Sequence, residues 1–263
     1  MRYSVKLSYS GAAFCGWQRQ PDAPSVQESL ESALGALLGT PAPVVGAGRT
    51  DTGVNAIGYV AHFDAEGPLD VQRLCCKLNA ILPRSIAVSE VVPEEPGFHA
   101  RFDAKRREYT YFVHRCKDPF VDSYSYCFTY PGLDVDAMNR AAALLAGTHD
   151  FSCFEKTGAD NKTSICTVTE AGWHVYTPTH CALMGFPGPS GGSASREPQY
   201  LYFRIAADRF LRNMVRAIVG TLLETGRGKR KAESIGELLG KGDRCAAGES
   251  VPGHALFLSG VDY

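Results

Sequence analysis

No apolar run in this 263-residue sequence is long enough to span a bilayer as a helix, so a membrane-embedded protein is not expected. The chain also lacks a leader pattern. Met1-Arg2-Tyr3-Ser4-Val5-Lys6-Leu7 enters strand alternation at once, so no signal peptide is expected. Excess charge of either sign is missing, since 27 basic residues face 28 acidic ones. Any polyanion partner must therefore be met by a local patch. Nine cysteines, an odd count, contain no C-x-x-C pair, and buried reduced thiols in a cytosolic protein are expected. His62-x-Asp64 and His99 lack spaced companions, so no metal site is evident. Neither G-x-G-x-x-G nor G-x-x-x-x-G-K-[ST] occurs, which removes the usual dinucleotide and nucleotide-phosphate loops.

The most informative stretch is Val44-Val45-Gly46-Ala47-Gly48-Arg49-Thr50-Asp51-Thr52-Gly53-Val54-Asn55-Ala56. Apolar runs flank it, so it reads as a tight loop between two buried strands. A loop held by two strands is a stiff mount for a reactive group. Asp51 is its only carboxylate, with Arg49 two residues before it. Residue types alone also fit a hairpin turn in which Asp51 bonds its own backbone.

The remaining elements follow from period and punctuation. Tyr3, Val5, Leu7 and Tyr9 alternate in a half-buried strand. Ser25-Val26-Gln27-Glu28 has the form of a capping box and starts a helix that Gly39 and Pro41 stop. Asp70 caps a second helix ended by Pro83, and Ile86 to Val92 reads as a strand. The order strand, helix, strand, strand, helix, strand is that of a ferredoxin-like half. A basic connector at 99–107 leads to a strand from Arg107 to His114, with Tyr109, Tyr111 and Val113 on one face. A shorter strand is expected over Tyr124–Tyr130 and a helix over Asp136–Leu145. Strands over Ile165–Tyr176 and Tyr200–Ala206 enclose a Gly/Pro/Ser-rich excursion from Pro178 to Pro198. A helix over Phe210–Thr225 would place Arg209, Arg212 and Arg216 on one face. A short helix over Ile235–Leu239 and a strand over Leu256–Val261 complete a second half that repeats the first in pattern only.

Basic residues concentrate at 101–117 and 204–231, as solvated faces or as a polyanion site. The expected fold is α/β of the α+β kind: two ferredoxin-like halves, 1–104 and 105–263, whose mainly antiparallel sheets join and line a central basic cleft.

Gly48-Arg49-Thr50-Asp51-x-Gly53-Val54 resembles the signature of the TruA family of tRNA pseudouridine synthases. Phe210-Leu211-Arg212-Asn213-Met214-Val215-Arg216-x-Ile218-Val219-Gly220 is similar to that family's F-L-x-x-M-V-R-x-I-V-G segment, and Arg107-Glu108-Tyr109-Thr110-Tyr111 to its tyrosine strand. Further likeness lies in Gly16-Trp17-Gln18-Arg19-Gln20-Pro21, Leu78-Asn79 with Leu82-Pro83, Phe98-His99-Ala100-Arg101, Gly147 to Ser152, and Ala247-Gly248 with Pro252 and Leu256-Phe257-Leu258. The motifs keep the family's order nearly end to end. Three positions depart from it: Ser10 for Asp, Asn55 for His, and Gly253-His254-Ala255 for Ala-x-Gly.

The resemblance implies Asp51 as the catalytic carboxylate, Arg216 as its ion-pair partner and Tyr109 against the target base. It implies substrate binding by Arg49, Tyr109, Arg212 and Leu256, no cofactor and no metal. The implied substrate is tRNA, at uridines on the 3′ side of the anticodon stem-loop (tRNA positions 38–40). A cytoplasmic homodimer is implied, with one tRNA touching both subunits. Two other readings remain open: a non-catalytic RNA-binding or RNA-folding protein, and a different aspartate-dependent enzyme acting on a small ligand.

Overall fold

The structure, a computed structural model, describes residues 1–158, 162–184 and 198–263. Its strands and helices in chain order are β1 (Arg2–Tyr9), α1 (Val26–Leu38), β2 (Val45–Gly46), β3 (Asn55–Asp64), α2 (Val71–Ile81), β4 (Ile86–Glu94) and β5 (Arg106–His114). They continue with β6 (Tyr126–Cys127), α3 (Val135–Ala143), β7 (Gly147–Asp150), β8 (Ile165–Val175), α4 (Thr179–Met184), β9 (Tyr200–Ala207), α5 (Met214–Gly226), α6 (Ser234–Lys241) and β10 (Leu256–Asp262). The chain forms two compact units: Met1–Arg107 with Phe257–Tyr263, and Glu108–Leu256. Among the described residues no helix is long and apolar enough to cross a membrane.

In the first unit, β1 is flanked by β4 and β3, and β2 continues past β3, all antiparallel. This is the strand order of a ferredoxin-like sheet. Tyr3, Val5, Leu7 and Tyr9 are all buried, as the alternation predicts. Helix α1 starts where Ser25 Oγ accepts the Glu28 N–H at 3.3 Å and ends at Gly39, whose φ of 74° needs a residue without Cβ. Leu30 and Leu34 are wholly buried on its inner face, each contributing on the order of 1.5–3 kcal/mol. Helix α2 is capped by Asp70 and fastened to β4 by Asn79, which exchanges two hydrogen bonds with the Val88 backbone at 2.7 and 2.9 Å.

Two readings of this unit change. The strand before the Asp51 loop is only two residues long and exposes Val45. The chain's last strand also lies here. The Phe257-Leu258 segment of β10 runs parallel to β3 against Asn55 and Ala56. Nothing in a local pattern names a strand's partner, so the sequence left β10 with the second half.

The second unit's strands run β5-β9-β8-β7, with β6 a short parallel partner of β5. Strands β8 and β9 pair directly as antiparallel neighbours, and the long helix α5 follows them. The antiparallel β8–β9 pair between α3 and α5 repeats the β2–β3 pair between α1 and α2, with β6, β7, α4 and α6 as additions. All of α5 is buried except Arg216 and Glu224, so it is a core helix. Gly226 lets α3 approach, because a Cβ there would meet Met138 and Leu133.

Helix α5 begins at Met214, not at Phe210. Asn213 sits at φ 65°, a left-handed conformation that interrupts helical geometry. Arg209 and Arg212 thus precede the helix, and no helical stripe joins them to Arg216. The strand expected at 124–130 shrinks to Tyr126–Cys127, and Gly147–Asp150 forms a strand that was read only as a motif. Of the excursion from Pro178 to Pro198, residues 185–197 lie outside the described residues.

Candidate active site

Asp51 lies between β2 and β3 on a loop whose underside is aromatic. Trp17 stacks on Tyr59 with ring centres 4.1 Å apart, and Tyr9 meets Tyr59 edge-on at 5.7 Å. The Tyr59 hydroxyl accepts the Gly48 N–H at 3.3 Å and donates to the Gly48 carbonyl. The hydroxyls of Tyr9 and Thr50 are 2.8 Å apart. Thr50 is therefore turned inward and buried, while Arg49 is exposed and Asp51 half-buried.

Backbone hydrogen bonds close the loop from three sides. The Ala47 N–H reaches Val60 O at 2.9 Å, and the Trp17 N–H reaches Thr50 O at 3.2 Å. The Val54 N–H returns to Asp51 O at 3.1 Å, closing a turn in which Gly53 supplies the positive φ of 77°. Gly16, at φ 95°, lies so close to Thr50 O that a Cβ would collide with it. Arg107 gives Nε and Nη2 hydrogen bonds to Ala47 O at 3.2 and 2.9 Å and an Nη2 bond to Arg101 O at 2.6 Å, tying the connector to the loop's base. The carboxylate is thus mounted on backbone with little freedom.

The other two predicted catalytic residues belong to the second unit. Tyr109 is half-buried on β5, its ring edge-on to Phe210 at 5.0 Å and 87°. Tyr111, two residues on, is a core side chain whose hydroxyl donates to Pro252 O at 3.0 Å. Burial pushes its phenol far above the usual range. Arg216 stands in the first turn of α5 and donates from Nε to Val251 O at 2.7 Å. The Val251 N–H returns to Arg216 O at 3.2 Å. That acceptor segment lies close against the helix because Gly220 has no side chain: a Cβ there would collide with Glu249 O. Thr221 Oγ1 accepts the Gly248 N–H at 2.9 Å beside it.

The four residues expected to bind substrate have different settings. Arg49 and Arg212 are exposed, Tyr109 is half-buried, and Leu256 is buried at the start of β10. The basic clusters are partly used up internally. Arg204 contacts Glu108 at 3.4 Å and Glu170 at 3.0 Å, Arg230 contacts Glu224 at 2.8 Å, and Arg106 contacts Asp262 at 3.0 Å. Trp17, Tyr59, Tyr9 and Phe210 were given no role from the sequence, because a buried aromatic and a loop support look alike there.

The sequence profile of a family described as tRNA pseudouridine synthase matches residues 7–103 and 141–263. The chain belongs to that family. It is, with the family, an isomerase. It is 47% identical to tRNA pseudouridine synthase A of Parabacteroides distasonis over 264 residues, covering all of this chain and 96% of that protein. It is 45% identical to the protein of the same name from Bacteroides fragilis, over all of this chain and 96% of the other. With that of Bacillus subtilis identity is 39%, over all of this chain and 99% of the other.

The departures from the family pattern acquire local explanations. Asn55 is buried, and its Oδ1 accepts the Gly11 N–H at 2.9 Å. It thereby joins the turn after β1 to the end of the Asp51 loop. Ser10 donates its own N–H to Ser85 O at 2.9 Å, a bond that does not depend on its side chain. The 253–255 segment forms one 3₁₀ turn, with Ala255 wholly buried.

Proposed function

We propose that this enzyme converts uridine to pseudouridine in the anticodon stem-loop of tRNA, at positions 38–40, with Asp51 as the catalytic carboxylate. The observation that carries the reading is the mounting of Asp51, fixed by the Tyr59, Thr50 and Trp17 hydrogen bonds in the motif that resembles the family signature.

The reaction is a redox-neutral rearrangement. The C1′–N1 bond breaks, the detached base turns, and C1′ bonds to C5. The C5 proton is lost and N1 gains one. An ionised carboxylate serves by attacking C1′ or C6, or by taking a proton from the sugar. In this reading Arg216 is the ion-pair partner that orients the Asp51 carboxylate. Its Nε bond to Val251 O fixes one side of the planar guanidinium. Tyr109, braced by Phe210, packs against the base once it leaves the stack. Arg49, Arg212 and Leu256 complete the substrate contacts, with Arg49 filling the vacated space or binding phosphate. The two units are read as two ferredoxin-like halves. The enzyme works in the cytoplasm as a homodimer.

The test is formation of pseudouridine in tRNA by wild type and Asp51→Asn. Loss of product with tRNA affinity retained is expected. Full activity in the variant removes Asp51 from the chemistry. Intact biological function without product would favour an RNA-folding role.

A further inference from the structure

One buried imidazole nitrogen outside the site above lacks a partner. His114, at the end of β5, is completely buried. Its Nδ1 is 3.0 Å from Ser125 Oγ, but its Nε2 has no hydrogen-bond partner. That nitrogen faces Asp122, whose Oδ1 is 3.7 Å away. Cys127 Sγ completes a trio whose ligand atoms all lie within 4.8 Å of one another. When Nδ1–H is donated to Ser125, Nε2 presents a lone pair toward a carboxylate. Two lone pairs facing across a gap repel unless a proton or a metal cation sits between them.

The fold builds this trio from a single loop. His114 and Cys127 are direct partners across the parallel β5–β6 bridge, so their side chains leave the same face. Asp122 opens the 3₁₀ turn Asp122–Tyr124 inside the same loop. The Phe128 N–H to His114 O bond at 2.8 Å closes the loop behind them. We infer that His114 Nε2, Asp122 and Cys127 form a zinc-class metal site, with a fourth position open to water.

The donor set decides the class of ion. One imidazole, one thiolate and one carboxylate suit Zn²⁺ or Co²⁺ and are poor for Mg²⁺ or Ca²⁺, which want oxygen alone. Tetrahedral zinc with bonds of about 2.0–2.3 Å sets its ligand atoms roughly 3.3–3.8 Å apart. The 3.7 Å separation of Nε2 and Oδ1 falls in that interval. Ser125 holds the ring by its other nitrogen, the outer support that ligating histidines require. Asp122 and Cys127 are exposed, which gives an ion its entry route.

A second trio, Asp118, His180 and Cys181, is the natural rival. Its groups already satisfy one another: Asp118 Oδ2 receives His180 Nε2 and the Tyr200 hydroxyl, each at 2.8 Å. Among the described residues, the buried side-chain N and O atoms left without a hydrogen-bond partner include none from this trio.

The test is titration of the full-length protein with Co²⁺, read by thiolate-to-cobalt charge-transfer absorption, and with Zn²⁺, read by retained metal after dialysis. One equivalent per chain is expected, with the absorption lost in Cys127→Ser and unchanged in Cys181→Ser. Asp122→Asn should weaken binding at least tenfold, and Ser125→Ala by about 10- to 100-fold, the usual effect of losing an outer support. Both Asp122 and Cys127 are surface residues, so those variants test ligation without threatening the core. Absence of the band and of retained zinc overturns the assignment. So does a band that survives Cys127→Ser or disappears in Cys181→Ser.

Discussion

The hydroxyls of Tyr9 and Thr50, forty-one residues apart in sequence, bond to each other at 2.8 Å in the interior of the first unit. One belongs to the first strand and the other immediately precedes Asp51. The bond makes the reactive loop an extension of the sheet. Tyr9→Phe or Thr50→Val alone leaves a buried hydroxyl without this partner, so each should cost about 1–3 kcal/mol. The double variant should lose less than the two added together, with a coupling of roughly 0.5–3 kcal/mol. Chemical denaturation of the four proteins measures this cycle, and strict additivity would mean the bond contributes nothing.

Gly16 offers a sharper probe of the same mount. Its positive φ and its contact with Thr50 O leave no room for a methyl group. Gly16→Ala should displace the loop and lower kcat while tRNA affinity changes little. An unchanged kcat, measured by pseudouridine formation at saturating tRNA, would show that the loop tolerates displacement.

Arg216→Lys separates charge from shape. Lysine keeps the positive charge but has no Nε–H to hold the Val251 carbonyl and no planar fork. Activity should fall at least tenfold with the thermal midpoint nearly preserved. Restoration of most activity by lysine would mean that charge alone suffices.

The pH dependence of folding should be steepest on the acid side, and His62 is one cause. Its Nδ1 accepts the Ala100 N–H at 3.1 Å, and the ring is buried. Burial, and then the Arg2 charge, hold its pKa below the ordinary imidazole value. The unfolded chain therefore takes up a proton first as pH falls. The stability contributed by neutral His62 is fully present above about pH 6.5 and declines below it. Denaturation midpoints measured across that range should drop on acidification, and His62→Gln should flatten the drop. A slope unaltered by the substitution would assign it to other groups.

Local signals were legible wherever the physics is local. Ser25, Asp70 and Gly39 marked helix ends because a cap is a short-range hydrogen bond or a single φ angle. The alternation of Tyr3, Val5, Leu7 and Tyr9 marked β1 because one face of a strand is buried. The start of α5 was misread because Phe210 and Leu211 continue its apolar pairing, while the break comes from Asn213 turning left-handed toward Ser250. Asp51 stood out as the only carboxylate of a glycine loop, but its role, with those of Tyr109 and Arg216, came from the family likeness. The supports of that loop were invisible in advance. Asn55 reaches Gly11 and Tyr9 reaches Thr50 across distances that no spacing rule encodes.

The late arrival of β10 has a consequence for biosynthesis. Asn55 and Ala56, which leave the Asp51 loop, gain their parallel neighbour from Phe257 and Leu258, made about two hundred residues later. A ribosome-bound chain that has extruded its first hundred residues still lacks that strand, so this parallel pairing forms only after Leu258 has been made. Premature termination just before Phe257 would leave β3 with an open edge beside its most delicate turn, a template for unwanted strand pairing.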